Sequence, residues 1–280
     1  MMTIGTLACG EEEDKGVNFL RVIHMTVDNL DLLAQRPICT QTAAPWLDFV
    51  AGFPLMRRLF PADPVDEIDV LANAYITPSS AVARPWVILS MVHSIDGSTS
   101  LSGLSGPLGS DADQAVFSTL RSRADLLLVG AGTVRAEGYR PLKRAGQRLA
   151  IVSGSGALPW EEPVYTHSQT VIVAPEDGPT LPVTPLRAGR GRVDLALALD
   201  LLEPRVVLLE GGSSLNAQML ALGLVDELCI TTAPVTVVGS GPRIAQSEAE
   251  SIRPFRLAQI LEQDGYLFSR YFRSEASARP

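Results

Sequence analysis

From Arg84 onward the chain repeats one unit: a short apolar run, a turn rich in glycine or capping residues, and then an amphipathic stretch. The runs at 87–92, 126–129, 148–153, 170–174, 205–210 and 225–232 are too short for buried helices. They read as strands covered on both faces. Between them, Ser110-Asp111-Ala112-Asp113 places a cap and early acids before a helix reaching about Arg123. Helices are also expected over 193–202 and 213–222. Strands alternating with helices build a mostly parallel sheet. Near the end, runs at 257–262 and 266–272 flank Asp264-Gly265, the signature of an antiparallel hairpin. The fold class is therefore α/β: a twisted mixed sheet flanked by helices, ending in a hairpin.

The first 80 residues lack this pattern. They carry scattered apolar groups and six of the prolines between Pro37 and Pro78. We read 1–80 as a partly irregular N-terminal extension, 81–274 as the main domain and 275–280 as a disordered tail. Within the extension, 66–75 fits a short amphipathic helix, with Ile68, Leu71, Ala72 and Tyr75 on one face. Residues 1–24 are expected to be poorly ordered, and Met25 offers an alternative start.

With 46% hydrophobic residues and 19% charged ones, the chain can fill a core. A net charge of −8 argues against a nucleic-acid surface. Of its 23 basic residues only Lys15 and Lys143 are lysines. Cys9, Cys39 and Cys229 are widely spaced, giving neither a disulfide framework nor a metal knuckle. No apolar run reaches the ~20 residues of a membrane-spanning helix. Expected, then, is a cytoplasmic protein that binds no metal, membrane or nucleic acid.

Three glycine turns stand where a strand gives way to a helix: Gly130-Ala131-Gly132-Thr133, Gly211-Gly212-Ser213-Ser214 and Gly239-Ser240-Gly241-Pro242. Such turns present backbone N–H groups and a helix N-terminus to a phosphate. Glycine also serves such junctions for steric reasons alone. Two of them on neighbouring parallel strands would open on one sheet edge, where α/β folds bind ligands. Neither has the G-x-G-x-x-G or Walker spacing. At the end of the first strand, Ser94-Ile95-Asp96-Gly97 is either a plain Asp-Gly turn or a carboxylate offered to the donor edge of an amidine-like ligand.

Taken in order, Arg84-Pro85-Trp86-Val87, Ser94-Ile95-Asp96-Gly97, Leu120-Arg121-Ser122-Arg123-Ala124-Asp125, Val129-Gly130-Ala131-Gly132-Thr133-Val134, Glu210-Gly211-Gly212 and Leu224-Val225-Asp226-Glu227-Leu228 resemble the reductase domain of bacterial riboflavin biosynthesis. That domain belongs to the dihydrofolate-reductase-like superfamily. The resemblance spans about 84–272. It implies an NADPH-dependent reductase, usually a homodimer, acting on a 2-amino-4-oxopyrimidine-type small molecule. The pathway candidate is 5-amino-6-(5-phosphoribosylamino)uracil or a close analogue. The alternatives are a pterin such as dihydrofolate, or NADPH binding without catalysis. The zinc deaminase that accompanies this domain in bifunctional members needs H-x-E and P-C-x-x-C strings. Neither occurs in the 280 residues.

Position by position, the resemblance implies cofactor contacts at Gly130, Ala131, Gly132, Thr133, Glu210, Gly211, Gly212, Ser213 and Ser214. The peptide between the paired glycines is often cis in this superfamily. Ser153 and Ser155 match the place of the adenosine 2′-phosphate. Asp96 corresponds to the substrate carboxylate and is the expected catalytic residue; Ser94, Gly97 and Arg140 complete the substrate set. Two departures bear on the substrate. Ser90 stands where pathway members usually have lysine, and 136–142 replaces the family's Asp-Asp/Asn-Pro-x-Leu segment. Arg140, Lys143 or Arg144 could restore phosphate binding. His93 is a candidate proton donor, although adjacent strand residues face opposite sides.

Overall fold

The computed structural model describes residues 56–61, 75 and 84–274. The chain divides after Gly52 into two units, and every described residue lies in the second. The helix expected at 66–75, except for Tyr75, and the tail at 275–280 lie outside the described residues.

In chain order the strands are β1 (Arg57–Phe60), β2 (Trp86–Ser94), β3 (Leu126–Gly130), β4 (Arg148–Val152), β5 (Thr170–Ala174), β6 (Leu186–Arg187), β7 (Val206–Leu209), β8 (Glu227–Ala233), β9 (Phe255–Gln263) and β10 (Tyr266–Arg273). The helices are α1 (Asp111–Arg123), α2 (Ala131–Glu137), α3 (Pro163–Thr166), α4 (Leu195–Leu202) and α5 (Ser213–Ala221). One sheet holds all ten strands in the order β1-β9-β10-β8-β2-β7-β3-β4-β5-β6. From β8 to β6 every pairing is parallel. The β9–β10 hairpin and β1 add antiparallel partners beyond β8. This is the expected architecture, and within 84–274 the anticipated strands and the helices expected to end near Arg123 and over 193–202 and 213–222 are found to within a few residues.

Strand alternation divides the core in two. Ile88, Leu127, Val129, Leu149, Ile151 and Leu208 pack on one face with Ala112, Val116 and Leu120 of α1. Val87, Leu89, Leu126, Leu128, Val207 and Leu209 fill the other, under Leu195, Leu199 and Leu202 of α4 and Met219 of α5. β2, β3, β4 and β7 carry core residues on both faces, which is why their sequences read as continuous apolar runs.

Four features depart from the sequence reading. The strand β1 lies within the segment read as an extension and pairs with β9. The turn at 239–242 starts no helix; it lies in the irregular connection between β8 and β9. The short α3 and β6 were not anticipated. At four and two residues they are too short to impose a period on the sequence.

Candidate functional site

Parallel strands leave their carboxyl ends on one edge, and here the ends of β2, β3 and β7 border a cleft of about 1070 Å³. The two glycine turns of that edge touch. Gly130 N donates to Gly211 O at 2.8 Å, and the Gly211–Gly212 peptide is cis. Bulk is excluded at both paired glycines. A Cβ on Gly212 would stand 2.9 Å from Thr133 Oγ1, and one on Gly211, whose φ is +95°, 3.2 Å from Met91 Sδ. Behind these turns α2 and α5 begin, with Gly130 and Gly212 as N-caps that offer no side chain. Their first-turn N–H groups need outside acceptors. A smooth cradle edged by the N–H groups of two helix N-termini is the kind that can hold the phosphates of a dinucleotide.

Of the residues expected at the cofactor, Gly130, Gly132, Thr133, Glu210, Gly211, Gly212, Ser213 and Ser214 line the cleft. Ala131 is buried beneath the turn. Glu210 sits in the cleft wall with both carboxylate oxygens engaged. Its carboxylate accepts Arg121 Nε and a terminal guanidinium nitrogen, both at 2.7 Å, and Tyr139 Oη at 2.6 Å. The Arg121 guanidinium also lies 4.7 Å from the Phe117 ring centre and 5.4 Å from that of Tyr139. Burial, and then the Glu210 charge, push the Tyr139 phenol well up, so it remains a donor. This network joins α1, the loop after α2 and the end of β7.

Ser153 and Ser155 are turn residues outside the lining: their hydroxyls accept the N–H groups of Gly156 (3.1 Å) and Ala157 (3.3 Å). The exposed Arg135 donates to Ala157 O at 2.9 Å, bringing a cation to the same turn.

The Ser94–Gly97 turn also lies outside the cleft lining. Ser94 is buried and donates to Asp96 Oδ1 at 2.5 Å; Val237 N donates to the same oxygen at 2.9 Å. These two hydrogen bonds hold the exposed Asp96 carboxyl below its usual range. They also tie the end of β2 to the segment after β8. His93 is engaged by Ser94 O at 2.6 Å and Thr232 Oγ1 at 3.2 Å. Arg140, Lys143 and Arg144 all line the cleft, as does Ser90. A basic rim therefore stands on a chain of net charge −8.

One acid of the cleft escaped the sequence reading. Asp113, in the first turn of α1, lines it together with Gln114, Phe117 and Arg121. Burial raises its carboxyl above the ordinary value, outweighing the opposing effect of the Thr231 hydroxyl of β8. The spacing 113/114, 117, 121 marks one helix face, but sequence alone does not distinguish a face on a cleft from one on solvent.

Other motif acids serve the backbone. Asp125 accepts Arg205 N at 2.9 Å and Val206 N at 2.6 Å, starting β7 beside β3. Asp226 accepts Val87 N at 3.0 Å and pairs with Arg84 and Arg273. Buried Glu227 takes Trp86 Nε1 at 3.0 Å and Arg270 Nε at 2.6 Å. Among the described residues, no group of three or more His, Cys, Asp or Glu side chains could hold a metal ion, and no helix is long and apolar enough to cross a membrane.

Comparison with known proteins converges on one family. The RibD C-terminal domain model matches residues 85–264. A 2,5-diamino-6-ribosylamino-4(3H)-pyrimidinone 5′-phosphate reductase from Methanothermobacter thermautotrophicus is 33% identical over 178 residues, covering 57% of this chain and 82% of the relative. A pyrimidine reductase-like protein from Corynebacterium diphtheriae superposes with a TM-score of 0.62 at 25% identity, over 69% of this chain and 93% of its own. RibD from Acinetobacter baumannii shares the fold with a TM-score of 0.56 at 19% identity, over 70% of this chain and 60% of that longer one. By its motifs, its sheet and these matches, the chain belongs to the RibD C-terminal domain family, the reductases of riboflavin biosynthesis.

Proposed function

We propose that this protein is an NADPH-dependent reductase of a ribosylaminopyrimidine 5′-phosphate, converting its ribosyl group to ribityl. The observation that carries this reading is the meeting of two glycine turns, at Gly130 and Gly211-Gly212, on the same cleft as a basic rim. The cradle suits a cofactor pyrophosphate, and Arg140, Lys143 and Arg144 suit a substrate phosphate. A bound NADPH would supply a hydride for carbon C1′ of the ring-opened sugar. The chain's part is positioning, which can account for most of the acceleration of such a step.

Gly130, Gly132, Thr133 and the start of α5 would hold the cofactor phosphates, with Ser213 and Ser214 beside them. Preference for NADPH over NADH would come from the turn of Ser153 and Ser155. Their hydroxyl protons remain to be donated to a 2′-phosphate, with Arg135 supplying charge. Glu210 acts through Arg121 and Tyr139, keeping the cofactor turn in register with the substrate loop. Asp96 would meet substrate with the carboxylate oxygen that Ser94 and Val237 leave over, or would act by holding that turn closed. The same reading includes the homodimer that the family resemblance implies. Exposed Leu59 and Phe60 on β1 and Leu267 on β10 offer apolar area for it.

The test is NADPH oxidation against enzymatically prepared pyrimidine phosphate, with NADH as a comparison. Turnover, and a clear preference for NADPH, are expected. Turnover of dihydrofolate alone would make the protein a pterin reductase. Cofactor binding with every pyrimidine and pterin inert would make it a non-catalytic NADPH-binding protein.

A further inference from the structure

The third glycine turn, Gly239-Ser240-Gly241-Pro242, takes no part in the cofactor cradle. It lies in the connection from β8 to β9, which has no regular structure and is mostly exposed from Pro234 to Gln246. That stretch runs between the two halves of the site. At its start Val235 O accepts Ile95 N at 2.8 Å and Val237 N donates to Asp96 Oδ1 at 2.9 Å, both in the Ser94–Gly97 turn. In its middle Pro242 lines the cleft, and the Pro242 carbonyl accepts Thr99 N at 2.9 Å and Thr99 Oγ1 at 3.1 Å. Gly241 passes so close to buried Ser98 that a Cβ on it would overlap the hydroxyl. At its end Asn216 Nδ2 donates to Ile244 O at 2.7 Å, and Gln246 N donates to Ser213 O at 3.1 Å. Both of those partners belong to α5, the helix that begins at the Gly211-Gly212 cradle.

These bonds are unequal. The bond to Asp96 is at the surface, where water competes for both partners and the net gain is small. Asn216 is fully buried, so Ile244 O would lose a donor that water does not readily replace. The Asn216 Oδ1 has no hydrogen-bond partner. An amide kept inside a helix at that cost is accounted for by the bond its nitrogen makes. Asn216 is not among the residues lining the cleft, so it acts on the site only through what it holds. Resting on the reductase reading, in which α5 holds the cofactor and Asp96 meets the substrate, we propose that residues 235–246 are a strap joining the two ligand sites and that Asn216 is the positioning residue that moors it. Through the strap, the cofactor helix sets where Pro242 stands in the cleft wall and how Asp96 is aimed. Cutting the mooring therefore weakens substrate binding at a turn that Asn216 does not touch.

Asn216→Leu keeps the branching of the side chain and removes its donor. Amide hydrogen exchange of the ligand-free protein, followed by NMR, reads the mooring directly. In Asn216→Leu the Val237 and Thr99 amides should exchange about fivefold or more faster than in the wild type, with the β4 amides unchanged. In NADPH oxidation, KM for the phosphoribosylaminopyrimidine should rise about fivefold or more, while the Kd for NADPH stays within about twofold. A merely structural Asn216 would disturb the adjacent Gly211-Gly212 cradle and reverse that split, weakening NADPH and sparing the pyrimidine. Gly241→Ala displaces the strap from its other side, against Ser98, and should give the same exchange and the same split. If Asn216→Leu does not fold, Gly241→Ala carries both measurements. Combined, the two substitutions should raise KM by less than the product of their single effects, because both release one element. Unchanged exchange at Val237 and Thr99, the reversed split, or single effects that multiply in full overturns the proposal. A wild type that turns over no pyrimidine would refute the reductase reading alone, since exchange in the ligand-free protein still reports on the strap.

Discussion

A carboxylate in a cleft wall must be paired or pay in its acidity, and Glu210 and Asp113 represent the two outcomes. Glu210 has a bidentate arginine and a phenol, so removing one partner would strand a charge. At Asp113 burial outweighs the nearby Thr231 hydroxyl and raises the carboxyl. The folded protein therefore holds the Asp113 proton more tightly than the unfolded chain does. Stability is lost as pH rises from the unfolded value, about 3.9, through the raised folded value. Asp113→Asn removes that loss. We expect its melting temperature to exceed that of the wild type at pH 7 and to match it near pH 4, as measured by calorimetry. A residue kept at a cost to stability is what a ligand-binding role predicts; a lower melting temperature at pH 7 would mark Asp113 as structural instead. Its acidity was invisible in the sequence, where Asp111 and Asp113 look alike as early acids of one helix. Burial separates them: Asp111 is exposed, whereas Asp113 is partly buried in the cleft wall.

At the level of elements the sequence was informative where periodicity and local chemistry agree. The two-face burial of β2, β3, β4 and β7 appears as unbroken apolar runs, and Ser110 caps α1 as its position suggested, accepting Asp113 N. Glycine turns on adjacent β3 and β7 were legible as a shared edge, and there they touch. Two-residue β6, edge strand β1 and the connection holding 239–242 were not, since none carries a period or a cap. The Ser94–Gly97 turn shows how far a motif can be read. Its form was legible, while its bond to Val237, 141 positions away, was not. Asp125 marks a similar limit: a motif residue whose task is to accept the first amides of β7. Replacing it by alanine leaves two N–H groups without their carboxylate, so Asp125→Ala should lower unfolding free energy by about 2 kcal/mol in urea titration. Cofactor affinity measured below the transition should be little changed.

Across the described residues a parallel half, which carries the cleft, stands beside an antiparallel edge of β10, β9 and β1. Exposed apolar residues on that edge lead us to expect a particle of about twice the 30.0 kDa chain mass in sedimentation equilibrium; a monomer at micromolar concentration would remove the dimer from the proposal. The overall negative charge and the local basic rim fit a small phosphate rather than a polyanion. Near-absence of lysine sharpens the point, because the rim keeps Lys143 beside two arginines while Ser90 faces the same cleft uncharged. The proposed reaction delivers a hydride to a sugar carbon in that cleft. It is tested most directly by supplying NADPH deuterated at the transferable C4 position together with the 2-amino-4-oxo pyrimidine phosphate, and locating the label by NMR. The expected product is the ribityl compound with a single deuterium at C1′. Unlabelled or unreduced substrate, with deuterium passing only to a dihydropterin ring carbon when that is offered instead, would contradict it.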